Sequence, residues 1–467
     1  MNNPLAPQWL TPPRDANLLA PGVWPHTAHR GEHGDIEIGG VSVTTLAREF
    51  GTPLYVYDEA DVQGRARRIR ESFDAACAAA GTHGHVYYAS KAFSSAGVLR
   101  WMIDAGLRVD VATEGEMELA LAAGVPAASL GVHGNNKSDS EIERAVSVGV
   151  GSLVIDSFDE IDRVADIAER AGVVQNVRLR ANTGVHASTH DYLATAREDQ
   201  KFGVALRDVP TLVAAIRSRS SLRFLGLHSH IGSQIFGIAG FVEAAQRLLD
   251  VHVELLAGGD VPELNLGGGF GIAYTSVDAP TDAADLVAEL VGEVARICAD
   301  KGIAVPVLAI EPGRSVVGPG GITLYTTGTI KPIDIVDDHG NAGTRTYVSV
   351  DGGMSDNMRT ALYHADYSVA LAGRTSDAEP ALVRVVGKHC ESGDIVVRTD
   401  YLPGDVHRGD LLAVPATGAY CASLSNPYNQ ITRPAVVAVH NGEATLLVRR
   451  ETVADLFSRD TQLESSN

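Results

Sequence analysis

The sequence predicts an α/β protein in which a TIM-like (β/α)8 barrel is followed by a second, mostly β domain. Three observations lead to this prediction. Strand-like apolar runs alternate with helical stretches over roughly 250 residues, as they do in such barrels. Polar or glycine-rich residues follow nearly every run. After about residue 321 the helical stretches stop, and short β runs separated by turn residues replace them.

The alternation by itself also suits a doubly wound open sheet, which is the main alternative. The two folds differ in where they collect functional residues. A barrel uses the C-terminal ends of many strands, whereas an open sheet binds its ligand at one switch point. Chemically distinctive residues follow most of the predicted strands, which favours the barrel. The eight predicted strands are residues 86–88, 108–112, 129–132, 152–155, 177–180, 223–228, 263–266 and 307–310.

We divide the chain into four segments. Residues 1–34 form a proline-rich extension, residues 35–53 an N-terminal segment that joins the β domain, residues 54–320 the barrel, and residues 321–467 the C-terminal β domain. Residues 35–43 alternate apolar and polar side chains around two glycines and predict a hairpin without a helical partner. Since the barrel pattern has no place for it, we expect this hairpin to pair with the β domain.

Composition restricts the possible functions. Hydrophobic residues make up 45% and charged residues 21% of the 467 residues, which is typical of a globular protein with a large core. The 38 basic and 58 acidic residues leave a formal charge of −20, which opposes binding to nucleic acids and anionic membranes. The four cysteines form no Cys-x-x-Cys pair, so we expect no metal site and no disulfide. With neither a secretory signal nor a stretch of ~18 apolar residues, we expect a cytoplasmic protein.

Lys91 stands where the first predicted barrel strand gives way to a helix. By default a lysine at such a junction is a solvated surface amine. A glycine-rich run, GGGFG at 267–271, follows the seventh strand, and HIGSQ at 230–234 follows the sixth. Glycine runs suit tight turns, but their N–H groups also close on anions, and barrels commonly hold phosphate in the loops after strands seven and eight. This position favours a phosphate site.

The run EPGR at 311–314 ends the eighth strand with a carboxylate and a guanidinium. The two could simply pair, and surface pairs contribute only ~0–1 kcal/mol. At a barrel mouth beside an anion-binding loop, however, we expect the carboxylate and the guanidinium to bind different groups of a ligand. A lysine, an anion loop, a glutamate and a flat histidine ring together indicate pyridoxal 5′-phosphate. The lysine can bind this cofactor covalently, and an acid can keep its pyridine nitrogen protonated so that the ring withdraws electrons.

Seven motifs, in order, resemble those of the diaminopimelate decarboxylases, which belong to the alanine-racemase-like barrel class of pyridoxal-phosphate enzymes. The resemblance covers roughly residues 35–455, and the motifs are specific jointly rather than singly. They are YASKA at 88–92, HGNNK at 133–137, HIGSQ at 230–234, GGGFG at 267–271, EPGR at 311–314, CESGD at 390–394 and GAY at 418–420.

The resemblance implies roles for the residues around the cofactor. Lys91 resembles the lysine that binds pyridoxal phosphate covalently, and His230 the ring that stacks on its face. Glu311 resembles the partner of the pyridine nitrogen. The residues that resemble the remaining cofactor contacts, chiefly the phosphate cradle, are Ser233, Gly269, Pro312, Gly313, Arg314 and Tyr420.

The resemblance also implies a substrate site and a proton donor. Cys390 resembles the donor, and its loop setting between charged neighbours suits a thiol that exchanges a proton, whereas Cys77 and Cys298 fall on predicted helices. Arg359 offers the fork-shaped donor that a second substrate carboxylate requires. The residues that resemble substrate contacts are Arg314, Arg359, Tyr363, Glu391 and Tyr420.

The implied reaction is the decarboxylation of meso-2,6-diaminopimelate to L-lysine and CO2, the last step of lysine biosynthesis. In the family, residues such as Cys390 and Glu391 reach the site from the other subunit, which implies a homodimer with shared sites. An ornithine- or arginine-type decarboxylase is the nearest alternative, although such enzymes typically have aspartate where this chain has Glu391. A racemase of the same class and a non-catalytic binding protein are further alternatives. The presence of Lys91, Cys390 and Glu311 argues against the last.

Two further segments are predicted to be loops. Residues 184–202 are either a mobile flap over the barrel mouth or a plain surface loop, and residues 337–344 predict a polar hairpin loop.

Overall fold

The computed structural model describes residues 3–185, 200–336, 340 and 342–463. The chain divides into two compact units. We call Gln63–Gly271 with Ala279–Val316 the barrel unit, and Met1–Val62 with Ile272–Asp278 and Val317–Asn467 the sheet unit. Most of the predicted flap at 184–202, and part of the predicted hairpin loop at 337–344, lie outside the described residues.

Strands account for most of the elements in the sheet unit, whereas strands and helices alternate in the barrel unit. The strands are β1 His29–Arg30, β2 Ile36–Ile38, β3 Val41–Ser42, β4 Leu54–Asp58, β5 Gly84–Ala89, β6 Arg108–Val111, β7 Leu130–Val132, β8 Ser152–Ile155, β9 Gln175–Asn182, β10 Val204–Ala205, β11 Leu222–His228, β12 Glu263–Asn265, β13 Val307–Ile310, β14 Gly321–Val336, β15 Ala342–Val350, β16 Ala370–Leu371, β17 Pro380–Val386, β18 Ile395–Pro403, β19 Leu411–Val414, β20 Ala435–His440 and β21 Glu443–Val448.

The helices are α1 Val43–Phe50, α2 Glu59–Ala79, α3 Ala96–Asp104, α4 Glu114–Ala123, α5 Asp139–Val148, α6 Phe158–Arg170, α7 Val209–Ser218, α8 Ala239–Leu256, α9 Ala283–Asp300, α10 Arg314–Val317, α11 Arg359–Tyr363 and α12 Val453–Phe457. Among the described residues, none of these helices combines the length and the apolar character needed to cross a bilayer.

Eight parallel strands close the barrel. They are hydrogen-bonded in the order β5, β6, β7, β8, β9, β11, β12 and β13, and β13 pairs with β5 to complete the ring. The closing pair sets Ile310 opposite Val86. A doubly wound sheet would leave two edges unpaired, so the structure confirms the barrel prediction and excludes that alternative. All eight predicted strands are present.

Small polar residues end the loops that follow the barrel strands. Thr113, Ser138 and Ser157 are the N-caps of α4, α5 and α6, and each side chain accepts a hydrogen bond from a backbone N–H in the first helical turn. At α5 a capping box is complete, because the Glu141 side chain accepts in return from the backbone of Ser138. These caps make the turns at the C-terminal end of the barrel short and well defined.

The sheet unit is organised around one long strand. The first part of β14 pairs with β4 and β19, and its second part pairs with β15. The predicted hairpin at 35–43 forms β2 and β3, which join β1 in a separate three-stranded sheet. Hydrogen bonds from Ile36 N–H to the Ala372 carbonyl (2.8 Å) and from Gly442 N–H to the Gly39 carbonyl (2.7 Å) attach this small sheet to the rest of the unit. The N-terminal segment therefore joins the β domain, as predicted.

One element lies elsewhere than the sequence analysis placed it. The predicted boundary assigned Leu54 and its neighbours to the start of the barrel, but β4 lies between β14 and β20 in the large sheet. All five of its residues are buried. The hydroxyls of Tyr55 and Tyr57 donate to the carbonyls of Asp356 (2.6 Å) and Gly418 (2.7 Å). The sequence analysis did not count these residues among the predicted strands, because their partners are more than 250 residues away in sequence and leave no local signal.

Burial changes the protonation of several histidines in the barrel unit. It lowers the pKa of His85, His133, His228 and His252 from 6.5 to about 4. His252 lies on α8, is only 2% exposed, and its Nδ1 has no hydrogen-bond partner among the described residues. Since burial is the sole cause of its shift, His252 is the simplest place to test how acid acts on this fold.

We predict that replacing His252 with leucine reduces the loss of stability on acidification. The folded pKa of His252 is below its unfolded pKa, so its contribution is present above the unfolded value and is lost as the pH falls towards 4. Between pH 7 and pH 5 the wild type should lose roughly 2 kcal/mol more stability than the variant. Denaturant unfolding at both pH values measures this difference, and equal losses in the two proteins would contradict the prediction.

Candidate active site

The distinctive residues of the barrel unit gather at the C-terminal ends of its strands. Lys91 lies in the short 3-10 turn Ser90–Ala92 that directly follows β5. His228 is the last residue of β11, and Glu311 is the first after β13. Because the eight strands are parallel, these ends form one rim of the barrel. The predicted site residues on this rim are Lys91, His230, Ser233, Gly269, Glu311, Pro312, Gly313 and Arg314.

Glu311 is buried at this rim in a network of hydrogen bonds. Asn265, at the end of the neighbouring strand β12, donates from Nδ2 to Glu311 Oε1 at 2.7 Å. His228 Nε2 lies 3.0 Å from the same oxygen. His133 Nε2 lies 3.5 Å from Glu311 Oε1 and 3.1 Å from Asp110 Oδ1. Side chains at the ends of three other strands, β7, β11 and β12, thus converge on this carboxylate.

This network determines the charge of the rim. Burial opposes ionisation of Glu311, but His228 and His133, with the hydrogen bond from His228, hold the pKa of Glu311 well below 4.5. Burial and repulsion by Glu311 raise the pKa of Asp110 well above 3.8. Burial lowers the pKa of His133 and His228 to about 4, so both rings are neutral at neutral pH. The negative charge of the cluster therefore belongs to Glu311.

His133, His228 and Glu311 also have the composition of a metal site. One ligand atom from each lies within 4.8 Å of the others. Hydrogen bonds account for this proximity, because Glu311 Oε1 accepts from Asn265 and Oε2 lies 3.2 Å from His228 Nε2. A cation would have to displace those donors. That this protein uses no metal stays a prediction.

The loop after β12 passes so close to its neighbours that only glycine fits. A Cβ on Gly268 would lie 2.0 Å from the carbonyl oxygen of Glu311, and one on Gly269 would lie 2.4 Å from that of Gly232. Gly269 also has a φ of +116°, which side-chain-bearing residues rarely adopt. Ile235 N–H donates to the Gly269 carbonyl at 2.9 Å. The glycines thus pack this loop between those that follow β11 and β13.

Ser233 and Arg314 meet beside the glycine loop. Arg314 Nη2 donates to Ser233 Oγ at 2.8 Å. The turn that carries Arg314 packs on the end of β5, where Ala89 N–H donates to the Pro312 carbonyl at 3.1 Å and a Cβ on Gly313 would lie 3.0 Å from the Ala89 Cβ. A guanidinium, a hydroxyl and backbone N–H groups close together form the kind of donor set that binds a phosphate.

Lys91 and His230 belong to the same environment. Lys91 is exposed, as a surface amine would be. Its positive charge nevertheless acts on Asp110 and His133, and so reaches the network around Glu311. Burial, with the charges of Lys91 and Arg180, lowers the pKa of His230 well below 6.5. The His230 ring is therefore neutral, and its Nδ1 accepts from Gly268 N–H at 3.3 Å.

These groups fit the expected cofactor. The rim offers an amine, a neutral flat ring, an ionised buried carboxylate and a set of oxyanion donors. Two buried polar atoms of the rim, Ser90 Oγ and Asp110 Oδ2, have no hydrogen-bond partner among the described residues. A polar ligand can satisfy such atoms, whereas an apolar one would leave them unpaired.

The other five predicted site residues lie in the sheet unit. Tyr363, Cys390 and Glu391 are exposed. Tyr420 is half-buried and has a left-handed φ of 62°. Arg359, at the start of α11, is only 6% exposed. Cys390 and Glu391 share one loop, and Arg359 and Tyr363 share one helical turn.

Two tyrosines of the same unit hold the Arg359 guanidinium. Its carbon Cζ lies 4.5 Å from the centre of the Tyr274 ring and 5.5 Å from that of Tyr367, and Nη1 donates to the Tyr367 hydroxyl. Arginine stacked on aromatic rings keeps a defined orientation. Arg359 is therefore a fixed fork rather than a freely moving surface charge.

A buried histidine–aspartate pair holds the loop that carries Cys390. Asp394 Oδ2 lies 3.0 Å from His389 Nδ1 and accepts from His389 N–H at 2.8 Å, while Oδ1 accepts from Met354 N–H at 2.6 Å. The side chains of His389 and Asp394 are 0% and 2% exposed. Asn429 Oδ1 accepts from Cys390 N–H at 3.1 Å. The exposed Cys390 thiol thus projects from a loop that buried hydrogen bonds hold in place.

Comparison with known proteins gives a consistent picture. Residues 60–318 match the family described as pyridoxal-dependent decarboxylase, pyridoxal binding domain. The chain is 48% identical to diaminopimelate decarboxylase of Mycobacterium tuberculosis (strain ATCC 25618 / H37Rv) over 452 residues, which cover 95% of this chain and 99% of that protein. It is 44% identical to diaminopimelate decarboxylase of Bacillus subtilis (strain 168) over 438 residues, 93% of this chain and 97% of that protein.

The chain belongs to the diaminopimelate decarboxylase family. The crystal structure of diaminopimelate decarboxylase from M. jannaschii in complex with L-lysine is similar in fold, with a TM-score of 0.86 at 30% identity over 93% of this chain and 98% of that one. As a member of this family the protein is a pyridoxal-phosphate-dependent carboxy-lyase.

The sequence analysis left out several residues that support the site of this family member. Asp110, His133 and His228 had no assigned role, although their position at the ends of predicted strands could have identified them as site residues. Asn265 had no such signal, because its importance depends on the pairing that sets β12 beside β13. His389 and Asp394 flank Cys390 in sequence, but only their burial reveals what they do.

We predict that replacing Gly268 with alanine weakens cofactor binding in this decarboxylase. The added methyl group would collide with the Glu311 carbonyl and displace the carboxylate or the glycine loop. The affinity for pyridoxal phosphate, measured from the visible absorbance of the bound cofactor, should fall at least roughly tenfold.

Gly292 supplies the matched control for this substitution. It lies on α9, and a Cβ added there would meet no heavy atom within 4 Å. Alanine there should leave the cofactor affinity unchanged and stabilise the helix by up to ~1 kcal/mol. Equal cofactor affinity in both variants would show that the close approach at Gly268 has no part in the site.

Proposed function

We propose that this chain catalyses the decarboxylation of meso-2,6-diaminopimelate to L-lysine and CO2, the last step of lysine biosynthesis. The observation that carries the proposal is the ionised, buried Glu311 on the same barrel rim as Lys91 and the oxyanion donors. The substrate follows from the 48% identity to a protein named for this reaction, over 95% of the chain.

Lys91, Glu311 and His230 serve the cofactor. Bound pyridoxal phosphate supplies a protonated ring that withdraws the electron pair left when the substrate carboxylate departs as CO2. Lys91 would hold the cofactor covalently. Glu311 would accept a hydrogen bond from the ring nitrogen and keep it protonated, because the pKa of Glu311 is held well below 4.5. The neutral His230 ring offers a flat face without adding a second positive charge.

Asn265 and His228 preserve the charge and direction of Glu311. Both point hydrogen-bond donors at its carboxylate, and neither carries a charge that would neutralise it at pH 7. An arginine or lysine in either place would pair with the carboxylate and compete with the ring nitrogen for it. The neutral donors thus hold Glu311 in position and leave its charge for the cofactor.

The oxyanion donors would hold the phosphate end. These donors are Ser233 Oγ, the N–H groups around Gly269 and Gly313, and the Arg314 guanidinium, and Pro312 stiffens the turn that carries Gly313 and Arg314. Arg314 Nη2 donates to Ser233 Oγ, and we assign Arg314 to the substrate as well as to the phosphate.

Five residues bind the substrate, and one returns a proton. Cys390 donates its thiol proton to the carbon that has lost CO2, and the thiolate is then reprotonated from water. Glu391 binds the distal ammonium, and Arg314 and Arg359 bind the distal carboxylate, with Tyr363 and Tyr420 completing the contacts. A substrate without the distal carboxylate would leave Arg359 without its partner, at a penalty of a few kcal/mol.

We also propose a homodimer in which each copy completes the other's site. Tyr363, Cys390 and Glu391 are exposed in a single chain, and Leu362 beside Tyr363 is 52% exposed. Exposed apolar residues next to reactive groups are common where a partner docks. A cytoplasmic location suits the four cysteines, none of which forms a disulfide bond among the described residues.

An ornithine- or arginine-type decarboxylase is the second candidate. Lysine/ornithine decarboxylase from Vibrio vulnificus shares the fold, with a TM-score of 0.68 at 20% identity. The fixed orientation of Arg359 favours diaminopimelate, because a substrate that ends in an amine has no carboxylate for a guanidinium to bind.

An assay of the purified protein with pyridoxal phosphate tests the proposed reaction. Meso-diaminopimelate, L-ornithine and L-arginine are supplied separately, and CO2 and lysine are measured. We expect lysine only from diaminopimelate, and loss of both product and cofactor absorbance in Lys91→Ala. Consumption of ornithine or arginine alone would support the cofactor site but contradict the proposal that meso-diaminopimelate is the substrate. Cofactor binding without turnover of any substrate would favour a non-catalytic binding protein.

We predict that Asp394→Asn slows turnover without loss of the cofactor. Asparagine cannot accept from His389 and Met354 as a carboxylate does, so the loop of Cys390 would shift. The kcat should fall roughly 10- to 100-fold with little change in KM, while cofactor absorbance stays the same. Asp377→Asn, at an exposed loop residue of the same unit, is the control. A fall in cofactor content that parallels the fall in kcat would mean a general structural effect.

A further inference from the structure

A polar cavity lies at the other end of the barrel, away from the rim that carries Lys91 and Glu311. Its volume is about 370 Å3, and its lining comes from the N-terminal ends of barrel strands and from the loops before β7 and β8. Arg108 and Glu263 begin β6 and β12, while His85 and Arg223 are the second residues of β5 and β11. Arg178, deeper in β9, also lines it.

The arginines of this cavity are not equally paired. Arg178 is 2% exposed, and its Nη2 lies 2.6 Å and its Nε 2.9 Å from Glu263 Oε2. In the part of the chain that the structure describes, neither Arg108 nor Arg223 forms an ion pair with a carboxylate. Glu263, the single carboxylate of the lining, therefore pairs with the most buried arginine. Among the described residues, Arg108 and Arg223 have no carboxylate to offset their positive charges.

Two of the guanidinium groups converge on one neutral oxygen. Arg108 Nη1 donates to the Tyr87 hydroxyl at 3.1 Å, and Arg178 Nη2 donates to the same hydroxyl at 3.0 Å. Both groups also lie over the Tyr87 ring, with Cζ 5.6 Å and 5.4 Å from its centre. A phenol can accept from both, but it offers no negative charge to offset their repulsion.

The charges of the same arginines also affect the pKa of His85. Burial lowers its pKa to about 4, and the charges of Arg108 and Arg178 add to this shift. The ring is therefore neutral and can donate one hydrogen bond. The cavity thus presents guanidinium and imidazole donors with a local excess of positive charge, in a chain whose formal charge is −20.

We propose that this cavity binds a small multivalent oxyanion, such as phosphate or a dicarboxylate, between Arg108 and Arg223. Two arginines that lack a carboxylate match two negatively charged oxygens, and the paired Arg178 forms the floor. The site is separate from the catalytic rim, since it lies at the N-terminal ends of the strands rather than their C-terminal ends. It does not depend on the substrate proposed for the enzyme.

The test uses the holoenzyme, in which pyridoxal phosphate already fills the other phosphate site. Phosphate, and separately malonate, replaces chloride at constant ionic strength while the thermal midpoint is recorded. We expect the midpoint to rise and then saturate with at least one of these anions. In Arg223→Gln the half-saturating concentration should increase at least tenfold, and Arg108→Gln should behave in the same way. Arg223 is exposed, so its replacement should not impair folding.

Arg296 supplies the matched control. It is an exposed arginine of α9 that pairs with Glu293 and Asp300. Arg296→Gln should keep the saturation curve of the wild type. A rise that is linear in anion concentration and equal in all variants would be the general effect of excluded salts on protein stability, and it would overturn the proposal. A saturating curve unchanged in Arg223→Gln and Arg108→Gln would overturn it as well.

Discussion

The pairing of β13 with β5 is the constraint on which the cofactor site depends. These strands are far apart in sequence, yet their hydrogen bonds close the barrel and place the residues that follow them side by side. Ala89 N–H then donates to the Pro312 carbonyl just beyond the paired strands. Lys91 and Glu311 each lie within two residues of that contact. The closure of the ring thus brings the amine and the carboxylate to the same part of the rim.

The charges inside the barrel are distributed in opposite ways at its two ends. At the C-terminal rim, neutral donors from Asn265 and His228 hold one carboxylate ionised. At the N-terminal end, Glu263 is outnumbered by arginines that share Tyr87 as an acceptor. In both places a buried charge is stabilised by directed hydrogen bonds rather than by solvent. One rim is therefore suited to a protonated ring nitrogen and the other to an anion.

The two units position their functional groups by different means. The barrel rim relies on close backbone approach, with Gly268 and Gly269 filling space that no side chain could share. The sheet unit instead uses buried side chains beneath exposed groups. His389 and Asp394 support the loop of Cys390, and Tyr274 and Tyr367 hold Arg359. The functional groups of the barrel unit therefore depend on close backbone packing, and those of the sheet unit depend on contacts between buried side chains.

The sequence by itself determined the barrel, its eight strands and the mostly β second domain, because periodicity and turn residues are local properties. It also determined the cofactor, and it predicted Lys91, His230 and Glu311 as residues that hold it, since they occupy distinctive motifs at strand ends. Only the tertiary structure decided that β4 belongs to the large sheet, and that Asn265 and His228 keep Glu311 ionised. These depend on pairings between distant segments and on burial, and neither leaves a pattern in neighbouring residues.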